Sequence, residues 1–469
     1  MRFPVGPGRS DVDLTPGGSM TVTPAATRAP LALGEDLAPI AVRDGHADYP
    51  TARATYAGSG SPDVVLRATT PQHVAAGIRL AVDTGRPLSI RSGGHNAFGY
   101  GTNDGGVVVD LSGIADVEVI DAEARLVRVG AGATWGAVAA ALAPHGLALT
   151  SGDTTSVGVG GLALSGGMGW MVRKHGLTLD LVRAADVVTV DGRVLRASAD
   201  EHPDLFWAVR GGGGNVGVVT HLELEAAPVS QVVAGMVTFA PDDVPGLLRG
   251  YREAMRAAPE ELTTAMLLMP GFAEWPAAVS VFCCWAGDDE EAAAAAIAPI
   301  RALAEPTADT VALQPYADIL EEAHPPPGVR GLVSNALFDD LDDRVLDAIA
   351  ERYAAGSGGA VVFVRWLSGA LNRVPADATA WGHRGIEALV AHAGFVPVDA
   401  DDATVEAVVA PGRAIDALGV GAYAGFLGIP GDEAVTRIYP PETLDRLRRV
   451  KRDYDPDNVL RLNFNVEPA

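Results

Sequence analysis

Apolar and polar positions between residues 60 and 120 follow a strand–helix–strand rhythm. Val64-Val65-Leu66-Arg67-Ala68 is a short apolar run of strand length. Thr70-Pro71 opens a helix, where proline is tolerated because the first-turn N–H has no intrahelical partner anyway. Val74, Ile78, Ala81 and Val82 recur at helical spacing and predict one buried stripe. Gly85 closes the helix as a left-handed cap residue. A strand over Arg86-Pro87-Leu88-Ser89-Ile90 runs into the turn Arg91-Ser92-Gly93-Gly94-His95-Asn96, and Gly106–Leu111 is the next strand. This is a βαβ unit.

A second unit starts with the strand Leu126–Gly130. Thr134 caps a helix from Trp135 to about His145, and Gly146 stops it. A glycine-dense stretch from Ser151 to Trp170 follows, then a strand at about Ala184–Val190 and a two-residue hairpin turn at Asp191-Gly192. His202–Arg210 leads through Gly211–Gly214 into another strand. After about residue 228, strands such as Met236–Phe239, Thr264–Leu268, Ala278–Trp285 and Ala360–Trp366 alternate with helices such as Asp289–Leu303. That texture predicts an antiparallel sheet backed by helices, an α+β fold. It shifts again near Gly419, where a helix of about Pro441 to Asp453 precedes the C-terminal tail.

Composition narrows the function. The 469 residues suggest about two or three domains. Lys and Arg number 35 against 59 Asp and Glu, a net charge of −24. Such a chain is a poor nucleic-acid binder, because that binding rests on basic charge, and anionic membranes repel it. No run reaches the roughly 18 uncharged apolar residues of a membrane span. The two cysteines, Cys283 and Cys284, are adjacent, so they form neither a disulfide framework nor a metal set and are expected to pack in the core. Residues 1–30 lack the apolar core of a signal peptide and read as a disordered extension, with a start at Met1 or at Met20 both open. A cytoplasmic protein is expected, and its oligomeric state is open.

Two features carry chemistry. His95 stands on a glycine turn between strands, where the backbone can approach a ligand closely. Ser156–Gly169, SVGVGGLALSGGMG, packs many glycines into an apolar stretch. Their folding entropy is costly; a bulky ligand lying against main-chain N–H groups is the natural compensation, with a purely structural glycine-rich loop as the alternative. Within that stretch Gly158-Val159-Gly160-Gly161-Leu162-Ala163 matches a dinucleotide-binding fingerprint, with Asp180 where a ribose-binding acid would stand. The polar run Ser151–Ser156 before it, in place of a buried strand, argues against that reading, as do the further glycines at 166, 167 and 169.

The segments RSGGHN at 91–96, VGVGGLALSGGMGWMVRKHGLTLD at 157–180, HPDLFWAVRGGGGNVGVVT at 202–220 and DPDNVLRLNFN at 455–465, in that order, resemble the berberine bridge enzyme-like FAD-linked oxidases of the vanillyl-alcohol oxidase superfamily. The resemblance runs from about residue 45 to the C-terminus. It implies a two-part PCMH-type FAD-binding domain, residues 31–227 and 419–469, with an inserted substrate-binding domain at 228–418. It also implies a covalent bond from His95 to the flavin 8α-methyl, which retains the cofactor and raises its potential.

Relatives with a second, cysteinyl tether carry it where this chain has Thr154, so one histidyl bond is expected. Val157 matches an oxygen-gating position at which valine accompanies reactivity with O2 and release of H2O2. Flavin contacts are implied for Arg91, Ser92, Gly93, Gly94, Asn96, Thr154, Val157, Gly158, Gly160, Gly161, Gly166, Gly169, Gly217, Val219, Asn463 and Asn465. The family's Tyr-x-Asn-Tyr element survives only in part, as Tyr423-Ala424-Gly425-Phe426. Tyr423 is the remaining candidate base, although a phenol with a pKa of about 10 needs a charged neighbour to act as one. Arg365, Trp366, Arg373 and His383 are candidate pocket residues, each with packing or surface charge as the competing role.

The function expected is a flavoprotein oxidase of secondary metabolism. It would oxidise or oxidatively cyclise a small natural-product intermediate with O2. A sugar or oligosaccharide oxidase, a non-catalytic flavin-binding protein and a nicotinamide-dependent dehydrogenase stand as alternatives. No metal is expected.

Overall fold

A computed structural model describes residues 31–271, 276–322, 328–356, 361–428 and 433–469. The expectation for residues 1–30 lies outside them. Among the described residues, three larger sheets and a two-stranded one, Ala54–Thr55 with Gly58–Ser59, organise the chain. The first is four-stranded, in the order Ala41–Val42, Val64–Arg67, Val107–Asp110, Leu88–Arg91. Val107–Asp110 lies between Val64–Arg67 and Leu88–Arg91 and runs parallel to both, so the helix Pro71–Thr84 crosses over it. The Thr70 hydroxyl accepts from the His73 N–H at 3.2 Å and Gly85 caps the other end at φ 61°, as the sequence predicts. Val74, Ile78 and Ala81 are buried, but Val82 is 49% exposed. The apolar stripe is one residue narrower than its spacing suggests.

The second sheet is antiparallel, ordered Val194–Ser198, Val182–Val188, Val218–Glu225, Leu126–Gly130, Val117–Asp121. The Asp191-Gly192 hairpin joins its first two strands in that order, with Gly192 at φ 87°. The helix after Thr134 is regular over Trp135–Leu142 and tightens to a 3-10 turn at Ala143–His145.

The third sheet has eight antiparallel strands. Six of them run in the order Gln231–Phe239, Ala278–Trp285, Leu262–Met269, Val361–Trp366, Ala388–Pro397 and Val329–Phe338, the last at the edge. Successive side chains on a strand point to opposite faces. One face, with Cys283 and Trp366, is covered by the helices Val244–Ala257, Glu290–Arg301 and Asp343–Ala354. The other face, with Cys284, Ala234 and Ala265, packs on Trp170 and Met171 from the glycine-dense stretch. Both cysteines are fully buried, each in a different core.

The C-terminal tail returns to the first half of the chain. Asn215 donates to the Phe464 carbonyl at 3.2 Å and accepts from the Val466 N–H at 2.9 Å. Lys451, fully buried, reaches the carbonyls of Asn215 and Leu460 at 3.2 and 2.9 Å and pairs with Asp455 at 3.1 Å. Phe464 packs edge-on against Phe98 and Tyr100, just beyond the His95 turn.

Candidate active site

The His95 turn and the glycine-dense stretch meet backbone to backbone. A Cβ on Gly93 would collide with the main chain of Gly158, and one on Gly158 with Gly93 and the Ser92 hydroxyl. Only glycine permits this approach. The Ser92 hydroxyl donates to the Ala131 carbonyl at 2.6 Å and pins the turn to the end of the strand Leu126–Gly130. The helix beginning after Gly158 lasts only Val159–Ser165, because Gly166 and Gly167 follow at φ 140° and 82°. No strand precedes it, so the dinucleotide fingerprint lacks its structural context. Asp180 is committed elsewhere: it pairs with Arg384 at 2.7 Å and accepts from the Leu177 N–H at 3.0 Å.

His95 stands at the mouth of this junction. Its Nε2 lies 2.9 Å from Ser156 Oγ, and Tyr56 stacks on its ring at 5.1 Å between centroids. Ser156 Oγ also contacts Glu322 at 2.5 Å, and the Ser156 N–H donates to the same carboxylate at 3.2 Å. Backbone bonds between Glu321 and both Asp153 and Thr155 hold that segment of the insert in place. Beside it a cavity of about 430 Å³ is lined by Met236, Thr238, Phe282, Gln314, Ile319 and Glu321, among others.

Further in, Arg365 is fully buried; it pairs with Asp153 at 2.8 Å, donates to the Met168 carbonyl and lies over the Trp170 ring at 4.4 Å. The Tyr423 hydroxyl accepts from the Gly167 N–H at 3.2 Å. Asn335 fixes the Tyr423 backbone through bonds of 2.7 and 2.9 Å. Burial pushes the Tyr423 phenol up to about 12, and the nearby Arg365 cation only partly opposes this. Trp381, Phe363 and Phe426 complete an aromatic surround.

Several sequence-predicted residues have a role in the fold. Arg91 is buried in an ion pair with Asp110 at 2.7 Å and donates to the Ala54 carbonyl at 3.2 Å. Gly217 is a packing glycine, since a Cβ there would press on the Val187 side chain at 2.5 Å, and Val219 is a core strand residue. Trp366 points into the helix-side core, Arg373 is a surface partner of Glu260, and His383 bonds the Arg437 and Ile438 carbonyls at 3.1 and 3.0 Å. Of the four pocket candidates only Arg365 reaches the site. Tyr56, Ser156 and Glu322 were missed: Ser156 heads the glycine segment, but nothing in the sequence ties it to a residue 166 positions away.

The residues present fit a flavin on two grounds. The glycine approach leaves main chain, not side chains, facing the junction, and Gly161 has nothing within 4 Å of where a Cβ would be. The buried Oδ1 atoms of Asn463 and Asn465 and the Thr150 hydroxyl have no partner, a cost of about 1–3 kcal/mol each unless a ligand satisfies them.

The (R)-6-hydroxynicotine oxidase of Paenarthrobacter nicotinovorans is 32% identical over 432 residues, spanning 87% of this chain and 91% of that protein. Residues 62–198 match the family model for an FAD binding domain, and residues 422–467 the model described as berberine and berberine like. The chain belongs to the berberine bridge enzyme-like FAD-linked oxidases. The oxidase matches the crystal structure of 6-hydroxy-D-nicotine oxidase from Arthrobacter nicotinovorans with a TM-score of 0.80 at 29% identity, over 92% of this chain and 98% of that one. It shares its fold with the Acremonium strictum glucooligosaccharide oxidase, which carries a 6-S-cysteinyl, 8α-N1-histidyl FAD, at TM-score 0.80 and 22% identity over 92% of this chain and 97% of that one. It is thus an FAD-dependent oxidoreductase of mixed α and β architecture. Among the described residues no helix is long and apolar enough to cross a membrane, and no cluster could hold a metal.

Proposed function

We propose that the oxidase holds FAD through one covalent bond to His95 and uses O2 to oxidise a small natural-product intermediate in the cytoplasm, releasing H2O2. The flavin unit is assigned to residues 31–227 and 419–469 and the substrate unit to 228–418. The observation that carries the reading is His95 itself, held by Ser156 and Tyr56 at the mouth of a junction lined by glycine backbone. Thr154 supplies no thiol for a second bond. Ser92, Gly93, Gly94 and Asn96 on one side, and Gly158, Gly160, Gly161, Gly166 and Gly169 on the other, would hold the cofactor, with Asn463 and Asn465 at its polar edge.

Bound FAD would supply the two-electron acceptor and its reoxidation by O2. Val157 would leave the approach for oxygen open. Tyr423 would face the substrate as a neutral phenol, because burial raises its pKa to about 12 and Phe426 cannot share a proton with it. An alcohol or sugar must lose its hydroxyl proton as it is oxidised, so it needs a base. A neutral amine expels hydride from its own lone pair and needs none. The site therefore favours the CH–N unit of an alkyl or saturated heterocyclic amine over a sugar hydroxyl, and this agrees with the 6-hydroxynicotine oxidase being a relative.

Acid precipitation of the purified oxidase tests the tether: the pellet should be yellow, and colourless for His95→Ala. A white wild-type pellet under a yellow supernatant would sink it. Peroxide release with amines but not with oligosaccharides supports the substrate class, and the reverse pattern overturns it. Reduced enzyme that takes hours to reoxidise in air would remove the role given to Val157.

A further inference from the structure

A serine hydroxyl carries one hydrogen, and a carboxylate carries none to give. At 2.5 Å from Glu322 Oε1, the Ser156 hydroxyl therefore donates to Glu322, and it accepts from His95 Nε2 at 2.9 Å. A neutral imidazole has one N–H, so this chain of bonds places it on Nε2 and the ring lone pair on Nδ1. Tyr56, stacked at 21° to the imidazole, resists the ring flip that would exchange the two nitrogens. Glu322 accepts from the Thr155 hydroxyl, from the Ser156 N–H at 3.2 Å and from the Ser156 hydroxyl, among its contacts. Residue 322 is solvent-exposed, so a proton it receives can pass to water.

We propose that Ser156 and Glu322 form a proton relay that serves the attachment of FAD to His95; this rests on the reading of His95 as the tether. A bond forms between Nδ1 and the flavin 8α carbon, and one C–H bond of that methyl group breaks. The Nε2 proton leaves through the Ser156 hydroxyl to the Glu322 carboxylate, so the substituted imidazole ends neutral. Two electrons and two protons, one from the methyl group and one from Nε2, end on O2 as H2O2. Ser156 and Glu322 are positioning and proton-accepting groups for maturation, not for turnover of substrate.

Glu322→Gln is the informative variant. Glutamine has the same shape, and its carbonyl can still accept from the Ser156 hydroxyl, but it cannot take the proton. The full chain, produced with riboflavin limiting, is mixed with FAD in air. Binding is followed by quenching of protein fluorescence, and tethering by the acid-stable flavin band on a denaturing gel. Glu322→Gln and Ser156→Ala should bind FAD within about twofold of wild type but tether at least about tenfold more slowly, the lower side of what general acid–base groups contribute. Ser156→Thr, which keeps a hydroxyl, should stay near the wild-type rate. Tethering of Glu322→Gln within twofold of wild type overturns the relay. Should Ser156→Ala lose FAD binding altogether, Glu322→Gln decides alone. Wild-type protein that binds FAD but never forms an acid-stable band, like His95→Ala, would remove the tether itself and the relay with it.

Discussion

On the helix-covered face of the eight-stranded sheet, Trp366 packs edge-on against Tyr251 at 6.1 Å between centroids. On the opposite face its neighbour Arg365 reaches across to Asp153 and the Met168 carbonyl. Both side chains are sealed from solvent, yet burial does different things to them. The first face is held by dispersion and transfer of apolar surface, and its residues are exchangeable by volume. The second is an interface with the glycine-dense stretch, where the Arg365 cation is buried against Asp153 and the Met168 carbonyl. A fold can thus use one sheet both as a plain core and as the wall of a reaction site, by strand alternation alone.

Substitutions on the two faces should separate stability from cofactor binding. Arg365→Met is expected to have the largest effect, about 3–5 kcal/mol of lost stability with loss of bound flavin, because it leaves Asp153 and the Met168 carbonyl without their partner. Denaturant midpoints together with flavin-to-protein absorbance ratios check this; a variant that unfolds early yet keeps full flavin would show that Arg365 does not join the two regions.

Acid should act next, in part through the interface. His175, on the short helix Val172–His175 that docks there, has its pKa lowered to about 4 by burial, with Lys174 adding to the effect. The unfolded chain takes up that proton below about 6.5 and the folded chain does not, so stability falls as pH drops from about 6.5 towards 4. The loss is on the order of 2 kcal/mol once partial exposure is allowed for. Melting temperatures across that range should flatten in His175→Gln; an unchanged slope would assign the acid sensitivity to other groups.

Trp366→Leu, on the helix face, should lose about 1–3 kcal/mol as an ordinary core truncation and keep its flavin, which the same two measurements read. Val82→Lys, at a position that looks apolar but is half exposed, should change stability by no more than about 0.5 kcal/mol.

What was legible in the sequence was local. Thr70 and Gly85 mark the ends of their helix, and Asp191-Gly192 marks its hairpin, because caps and tight turns are decided within a few residues. The glycine segments announced a ligand because that density of glycine has little other use. Val82 misled because helical spacing gives the direction of a stripe but not its width. For Trp366 the sequence left pocket and packing both open, because its parity in the strand decides which face it joins. The Ser156–Glu322 and Asp153–Arg365 contacts span 166 and 212 positions. Nothing in local spacing encodes such ties; they exist only after the sheet has brought its far face against the first half of the chain.

The back-to-back glycines Gly93 and Gly158 have a consequence for the history of each molecule. The turn carrying His95 acquires its shape only when a segment made much later on the ribosome has folded against it, and Glu322 arrives later still. A tethered flavin would then be a stamp of completed manufacture. Truncated or misassembled chains would stay colourless after denaturation, and the yellow of a denatured band would count the molecules that had once been whole.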